Sequence, residues 1–231
     1  QSVLALALLL QERHGGVDIV ISNAAARITA DISPAQQVAQ FVDTNNHGTY
    51  RMINAFTPLL KNGQVRKMIL SYGGECKTFE EMTLKGSLEV EWVPQGTLAE
   101  RIRAAGAGIG GFYTPTGYGT KVAEGKETRQ FDGRWQVFER PLKADFALIK
   151  AFRGDTLGNL AYRRTARNFN QVMATAAATV IAEAESLVEP GALLPEHVHT
   201  PALYVDRLLK GTRYLKPIEK RTVIPREPAK R

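Results

Sequence analysis

Cysteine is almost absent from this sequence, because Cys76 is the single one among 231 residues. One cysteine cannot form a disulfide within the chain, so the class of small disulfide-stabilised secreted domains is excluded. We expect Cys76 to pack against its neighbours and not to act as a nucleophile. This cysteine usage favours a cytoplasmic location.

Long apolar runs are also lacking. No segment approaches the roughly 20 apolar residues of a membrane-spanning helix, so we expect no membrane partner. Residues 3–10 are apolar enough to resemble the core of a signal peptide, but no basic residue precedes them and no small-residue cleavage site follows. An amphipathic or buried helix over residues 4–13 is the better interpretation.

Acidic residues are scarce only at the carboxyl end. From Lys210 onward there are eight basic and two acidic residues, so six of the seven net positive charges lie in this tail. The rest of the chain is nearly balanced and has no basic stripe, and the tail has few aromatic rings to stack on bases. We therefore expect a solvated tail and no nucleic-acid partner.

Apolar periodicity alternates between the period of strands and that of helices, which is typical of the α/β class. Strands are predicted at residues 17–22, 65–72, 88–93, 145–152, 159–162 and 179–188. Helices are predicted at 4–13, 35–60, from 78, at 97–105, at 167–178 and from the Thr200-Pro201 pair to Gly211; capping boxes open those at 78 and 97. We expect an open, parallel-rich sheet with helices on both faces, and a ligand site at the carboxyl ends of the strands.

Four long segments carry a family resemblance: KMILSYGGECKTFE, PQGTLAERIRAAGAGIGGFYTPTGYGT, LKADFALIKAFRGDTLGNLAYRRTARNFN and HTPALYVDRLLKG. From about residue 64 to 221 the sequence resembles the A subunit of bacterial succinyl-CoA:3-oxoacid CoA-transferases. The resemblance implies the fold of that family and transfer of CoA from succinyl-CoA, or another acyl-CoA, to a 3-oxoacid such as acetoacetate. It does not settle the acyl specificity.

The same resemblance implies a division of labour between two chains. In this family the nucleophilic glutamate lies on a B subunit, so we expect no catalytic nucleophile here and a hetero-oligomer of α2β2 or similar composition. A coenzyme A thioester and a carboxylic acid would be substrates, and no permanently bound cofactor is expected.

Substrate-binding residues are expected from the second landmark. Gln95 matches the family glutamine that faces the carboxylate or thioester oxygen, where its amide can donate a hydrogen bond. Gly106 and Gly108 belong to a glycine-rich loop in which the backbone can approach a ligand closely. The alternatives are that Gln95 bonds to loop backbone and that Gly106 caps a helix.

Residues 1–61 differ from the start of such an A subunit, which carries a glycine-rich segment. VDIVISNAAARI and DTNNHGTYRMINAFTPLL resemble instead a Rossmann-like fragment of short-chain dehydrogenase/reductases, with Asn23 at an asparagine of their NNAG turn. The TGxxxGxG phosphate loop and the Y-x-x-x-K dyad that hydride transfer needs are missing. Alternatively, ISNAAA takes the place of the ISNNAG-like turn of a transferase, which would put Asn23 near the pocket.

These interpretations divide the chain into a reductase-like fragment at 1–61, a transferase-like domain at 62–212 and a basic tail at 213–231. An NADP-dependent carbonyl reductase and an inactive chimeric product are the alternative functions. His197 and His199 lack further ligands, so no metal site is predicted. The cluster of Arg163, Arg164 and Arg167 is expected to be solvated, to pair with acidic residues or to brace a subunit interface.

Overall fold

A computed structural model describes residues 17–22, 60–73, 77–163 and 166–211. The predicted helix at 4–13, most of the one at 35–60, Asn23, Cys76 and the basic tail lie outside these ranges. Within the described residues, strands and helices alternate as predicted, and the chain is of the α/β class.

The first sheet is parallel and has three strands, in the order β1 (Val17–Ser22), β2 (Val65–Leu70) and β3 (Glu89–Trp92). Residues 68–70 of β2 are buried, as expected of a central strand in a parallel sheet. Helix α1 (Lys77–Leu84) lies between β2 and β3 in the chain, and α2 (Gln95–Gly106) follows β3 directly. All three predicted strands and both helices are therefore present.

A second sheet is formed by β7 (Ala144–Asp155), β8 (Leu160–Ala161), β9 (Ala177–Val188) and β10 (Arg207–Lys210). Its order is β10-β9-β7-β8, it is mostly parallel, and helix α3 (Arg167–Thr175) connects β8 to β9. Its core is rich in small side chains, including Ala147, Ala151 and Ala182, which let α3 pack close to the strands.

Helices α2 and α3 lie between these two sheets. Leu98 and Ile102 of α2 pack with Ile69 and Val93 of the first sheet and with Phe169 of α3. On its other side α3 places Ala174 in the core of the second sheet. Where an open, parallel-rich sheet with helices on both faces was predicted, the structure has two parallel-rich sheets on either side of these helices, because the small residues of β7 and β9 form a second surface on which helices pack.

The third sheet is antiparallel and was not predicted. Its order is β4 (Phe112–Thr114), β6 (Arg134–Glu139) and β5 (Thr128–Phe131). Asp132 and Gly133 join β5 to β6 with φ angles of 47° and 74°. Positive φ at both positions is the signature of a tight two-residue hairpin, for which Asp-Gly is a preferred pair. The signal was therefore in the sequence.

The predicted helix from Thr200-Pro201 to Gly211 is wrong. Pro201 is extended, a single 3₁₀ turn covers Ala202–Tyr204, and Arg207–Lys210 forms β10. The reason is tertiary: β9 offers a free edge, and Asp206 binds it twice, through its N–H to the Val180 carbonyl at 3.0 Å and through its carboxylate to the Val180 N–H at 2.8 Å.

Candidate functional site

Gln95 lies at the point where the parallel sheet gives way to helix α2. It is the first residue of the helix, it follows the carboxyl end of β3, and it is exposed. Its side chain has no hydrogen-bond partner among the described residues, so the predicted alternative of a bond to loop backbone finds no support there. The amide is thus available to a ligand at the edge where α/β sheets bind ligands.

The helix start leaves further donors open. Pro94 precedes the helix with φ −54° and ψ 139° and provides no side-chain cap. The backbone N–H groups of Gln95, Gly96 and Thr97 make no hydrogen bond to a described residue, whereas the Leu98 N–H binds the Pro94 carbonyl at 2.9 Å. Unpaired N–H groups at a helix start attract an anionic oxygen.

The capping box predicted at Thr97 and Glu100 is wrong. Thr97 is the third helical residue and is buried, and Glu100 pairs with Arg103 one turn later, with Nε–Oε2 at 2.9 Å. Burial of Thr97 with Leu98 sets the helix start two residues earlier than the pattern indicated, which places Gln95 on the helix and not in a loop.

Gly106 and Gly108 lie at the other end of the same helix. With 12 residues and a rise of 1.5 Å each, α2 separates Gln95 from Gly106 by roughly 17 Å. The Gly108 N–H binds the Ala105 carbonyl at 3.2 Å and the Ile109 N–H binds the Ala104 carbonyl at 2.9 Å. This Schellman pattern needs the left-handed φ of 70° at Gly108, so the capping role falls on Gly108. The structure does not bring the glycines together with Gln95.

Gly106 has a packing role of its own. A Cβ added there would lie 2.7 Å from the Thr175 Cβ, so α2 and α3 can approach only at a glycine. We expect Gly106→Ala to lower the free energy of unfolding by about 1–3 kcal/mol through overpacking. Gly96→Ala is the control on the same helix, because nothing lies within 4 Å of a Cβ there. Chemical denaturation measures both, and equal stabilities for the two variants would contradict this close contact.

A partly buried charge network connects α2 to the neighbouring sheets. The Arg101 guanidinium binds the Glu91 carboxylate at 2.6 Å and the Arg140 carbonyl at 2.9 Å. Lys67 binds the same Glu91 at 2.8 Å, and Lys126 binds the fully buried Glu139 at 2.7 Å, whose other oxygen lies 3.9 Å from Arg101 Nε. The network joins the parallel sheet, the helix that starts at Gln95 and the antiparallel sheet.

The network also affects ionisation. Partial burial acts to raise the pKa of Glu91, but hydrogen bonds from Lys67 and Arg101 outweigh it, so the pKa lies below its usual value. Hydrogen bonds to Glu91 and Glu89 raise the pKa of Lys67. Both groups are therefore charged at neutral pH. Sequence patterns did not indicate this network, because its members are far apart in the chain.

A cavity of about 300 Å³ opens at the carboxyl end of α2, beside α3 and the segment 199–204. Gly106 lines it together with Arg103, Gln171 and His199. The Tyr162 N–H binds His199 Nδ1 at 2.8 Å, and the Tyr162 hydroxyl lies 2.7 Å from Thr200 Oγ1. Burial raises the pKa of Tyr162 to about 12, which keeps the phenol neutral.

The remaining predicted candidates fall at other places. Arg163 binds Glu185 at 3.1 Å and lies over the Phe152 ring at 4.2 Å, so it pairs with an acidic residue as one alternative foresaw; Arg164 lies outside the described residues. Over the described ranges, no three His, Cys, Asp or Glu side chains are grouped as a metal site requires. The absence of a metal stays a prediction.

The profile of the protein family described as Coenzyme A transferase matches residues 29–211. The chain belongs to the coenzyme A transferase family. The match includes Gln95, the helix that it starts, strands β2 to β10, helix α3 and the cavity, and β1 precedes it. It also extends into the segment predicted to be reductase-like.

Individual relatives agree with this membership. The chain is 59% identical over 165 residues to the A subunit of the probable succinyl-CoA:3-ketoacid coenzyme A transferase of Bacillus subtilis (71% of this chain, 69% of the relative). It is 52% identical over 168 residues to the A subunit of the 3-oxoadipate CoA-transferase of Pseudomonas putida (72% of each).

A solved structure supports the fold. An acyl-CoA transferase of Escherichia coli O157:H7, in a thioester complex with CoA, matches with a TM-score of 0.67 at 19% identity. The match covers 90% of this chain and 42% of that one.

None of the described helices combines the length and the apolar character that crossing a bilayer requires.

Proposed function

We propose that this chain is the A subunit of a 3-oxoacid CoA-transferase, which moves CoA from succinyl-CoA to a 3-oxoacid such as acetoacetate. Identities of 59% and 52% to chains named as A subunits support this role. The first of those names contains succinyl-CoA and the second 3-oxoadipate, so the acceptor acid is the open part of the proposal.

The exposed start of helix α2 is the observation that carries the proposal. Gln95 offers a neutral amide donor, and the N–H groups of Gly96 and Thr97 lie beside it without described partners. Neutral donors stabilise an oxygen that gains negative charge without competing for the nucleophile. An exposed glycine at position 96 leaves room for a substrate next to the backbone.

The reaction needs a carboxylate that this chain does not provide. A glutamate of the partner, the B subunit, attacks the thioester carbonyl, and the C–S bond breaks to give an acyl-glutamyl anhydride and CoA thiolate. The thiolate attacks the glutamyl carbonyl and releases the first acid, leaving a glutamyl-CoA thioester. The 3-oxoacid takes the CoA in the reverse sequence. Gln95 and the helix start hold the oxygen of each tetrahedral intermediate, and no permanently bound cofactor takes part.

Reconstitution tests the proposal. The chain is co-expressed with the B subunit of a succinyl-CoA:3-ketoacid transferase, and acetoacetyl-CoA formation is followed by absorbance. We expect a stable complex of α2β2 or similar composition, with a rate at least about 10³-fold above that of the chain alone. A complex without turnover would favour the inactive chimeric product. If this chain forms no complex while a working A subunit does so under the same conditions, the proposal is wrong.

For residues 1–61, the resemblance to a short-chain reductase remains a prediction. Their resemblance to a short-chain reductase rests on the sequence motifs alone, and the transferase family match that begins at residue 29 favours the transferase for the second half of this segment. Fluorescence titration with NADPH distinguishes the two: we expect no saturable binding. Our proposal for this chain also includes a division at residues 61 and 212. It further includes a substrate-binding role for Asn23 and a cytoplasmic location.

A further inference from the structure

The cavity at the carboxyl end of α2 lies apart from Gln95, the residue proposed to act on the transferred acyl group. It lies at the far end of the 12-residue helix from Gln95, and its volume of about 300 Å³ is at the lower end of the range for small-molecule sites. Much of its wall is apolar, from Val172, Pro201 and the ring of Tyr204. Five polar side chains interrupt this wall. The hydroxyls of Thr175 and Thr200 are paired with the Val172 carbonyl and the Tyr162 hydroxyl, so His199, Arg103 and Gln171 are the three that face a ligand with open groups.

His199 offers a hydrogen-bond donor at Nε2. Its Nδ1 accepts the Tyr162 N–H at 2.8 Å, so a neutral imidazole carries its proton on Nε2. Nε2 has no partner among the described residues. Burial, with the positive charge of Arg167 and with His197, lowers the pKa of His199, which favours the neutral imidazole, and the bond from Tyr162 selects its tautomer.

Arg103 and Gln171 each keep hydrogen-bonding groups open. Arg103 uses Nε and Nη2 to bind Glu100, at 2.9 Å and 2.5 Å, and its Nη1 makes no bond to a described residue. Gln171 donates one N–H of Nε2 to the His199 carbonyl at 3.1 Å, which leaves its second N–H as a donor and its Oε1 as an acceptor. Arg103 lines the cavity and Arg167 acts electrostatically on His199, so two positive charges lie near the site. Glu100 offsets part of this charge because it pairs with Arg103.

We propose that this cavity binds a small monocarboxylate with a short apolar chain. The carboxylate accepts hydrogen bonds from His199 Nε2 and Arg103 Nη1, and the chain lies against Val172 and Pro201. A charged donor together with a neutral one suits a single negative charge, and the apolar wall disfavours a second one. The site is separate from Gln95 and would respond to the concentration of free acid.

Amide NMR of the full chain with butyrate as the probe tests this site. We expect saturable shifts at residues 106, 107, 171 and 199, and a dissociation constant at least fivefold higher for Arg103→Gln. The control Arg129→Gln removes another exposed arginine, which pairs with Glu127 at 3.5 Å on the antiparallel sheet, and should bind as the parent chain does. Butanol, which has no charge, should bind at least tenfold more weakly.

The contrary outcomes are distinct. Equal binding of butanol and butyrate, or no effect of Arg103→Gln, would show an apolar cavity without carboxylate recognition. Butyrate shifts confined to residues 95–97 would place the only carboxylate site at the helix start. Gln95→Ala separates this proposal from the transfer reaction, because it should leave butyrate binding at residue 199 unchanged whether or not turnover falls.

Discussion

Gln95→Ala should reduce kcat of the reconstituted transferase by roughly 10²-fold, the usual effect of removing one oxyanion donor. The amide is exposed at the start of α2 and makes no bond to a described residue, so its loss leaves no buried group unpaired. We therefore expect the stability of the complex to be unchanged. Steady-state kinetics with succinyl-CoA and acetoacetate measure the effect, together with thermal unfolding.

The kinetic pattern decides what Gln95 contacts. A fall in kcat at constant KM means that the amide acts on the transition state, whereas a rise in KM alone means that it binds substrate and transition state equally. Gln130→Ala is the matched control, since Gln130 is also exposed and lies on β5, away from the helix start. Equal rates for parent, Gln95→Ala and Gln130→Ala would remove Gln95 from the site.

Arg101→Met should lower the free energy of unfolding by about 3 kcal/mol, at the lower end of the cost of breaking a buried ion pair. Arg101 and Glu139 are buried, with 8% and 2% of their surface exposed. The loss is limited because Lys67 still binds Glu91 and Lys126 still binds Glu139. Urea unfolding measures the change. In Arg129→Met, which removes an exposed pair with Glu127, we expect almost none.

Acid should affect this network in a defined direction. The pKa of Glu91 is lower in the folded chain than its usual 4.5, so its contribution to stability is complete above that pH and is lost as the pH falls through the folded value. The Arg101→Met variant should lose less stability than the parent between pH 5 and pH 3, because one of the two hydrogen bonds that lower this pKa is gone. Parallel pH curves for the two chains would assign the network no role in acid stability.

Local patterns were sufficient where a segment's neighbours in the chain are also its neighbours in space. The apolar run of β1 predicts its strand, and the PQGTLAE segment alone singles out Gln95. The Asp132-Gly133 hairpin belongs to the same class, since its turn chemistry is local, and it could have been found. Family membership likewise followed from ordered segments of sequence.

The sequence by itself determined the α/β class, the family, and Gln95 as the residue expected to contact substrate. Only the tertiary structure decided that 207–210 is a strand, because the free edge of β9 and not local propensity sets its conformation. It also decided that Gln95 lies at one end of α2 and that Gly106 and Gly108 lie at the other. The family resemblance had placed these three residues in one pocket. The cavity and the Arg101 network join residues distant in the chain, and such contacts depend on how sheets and helices pack.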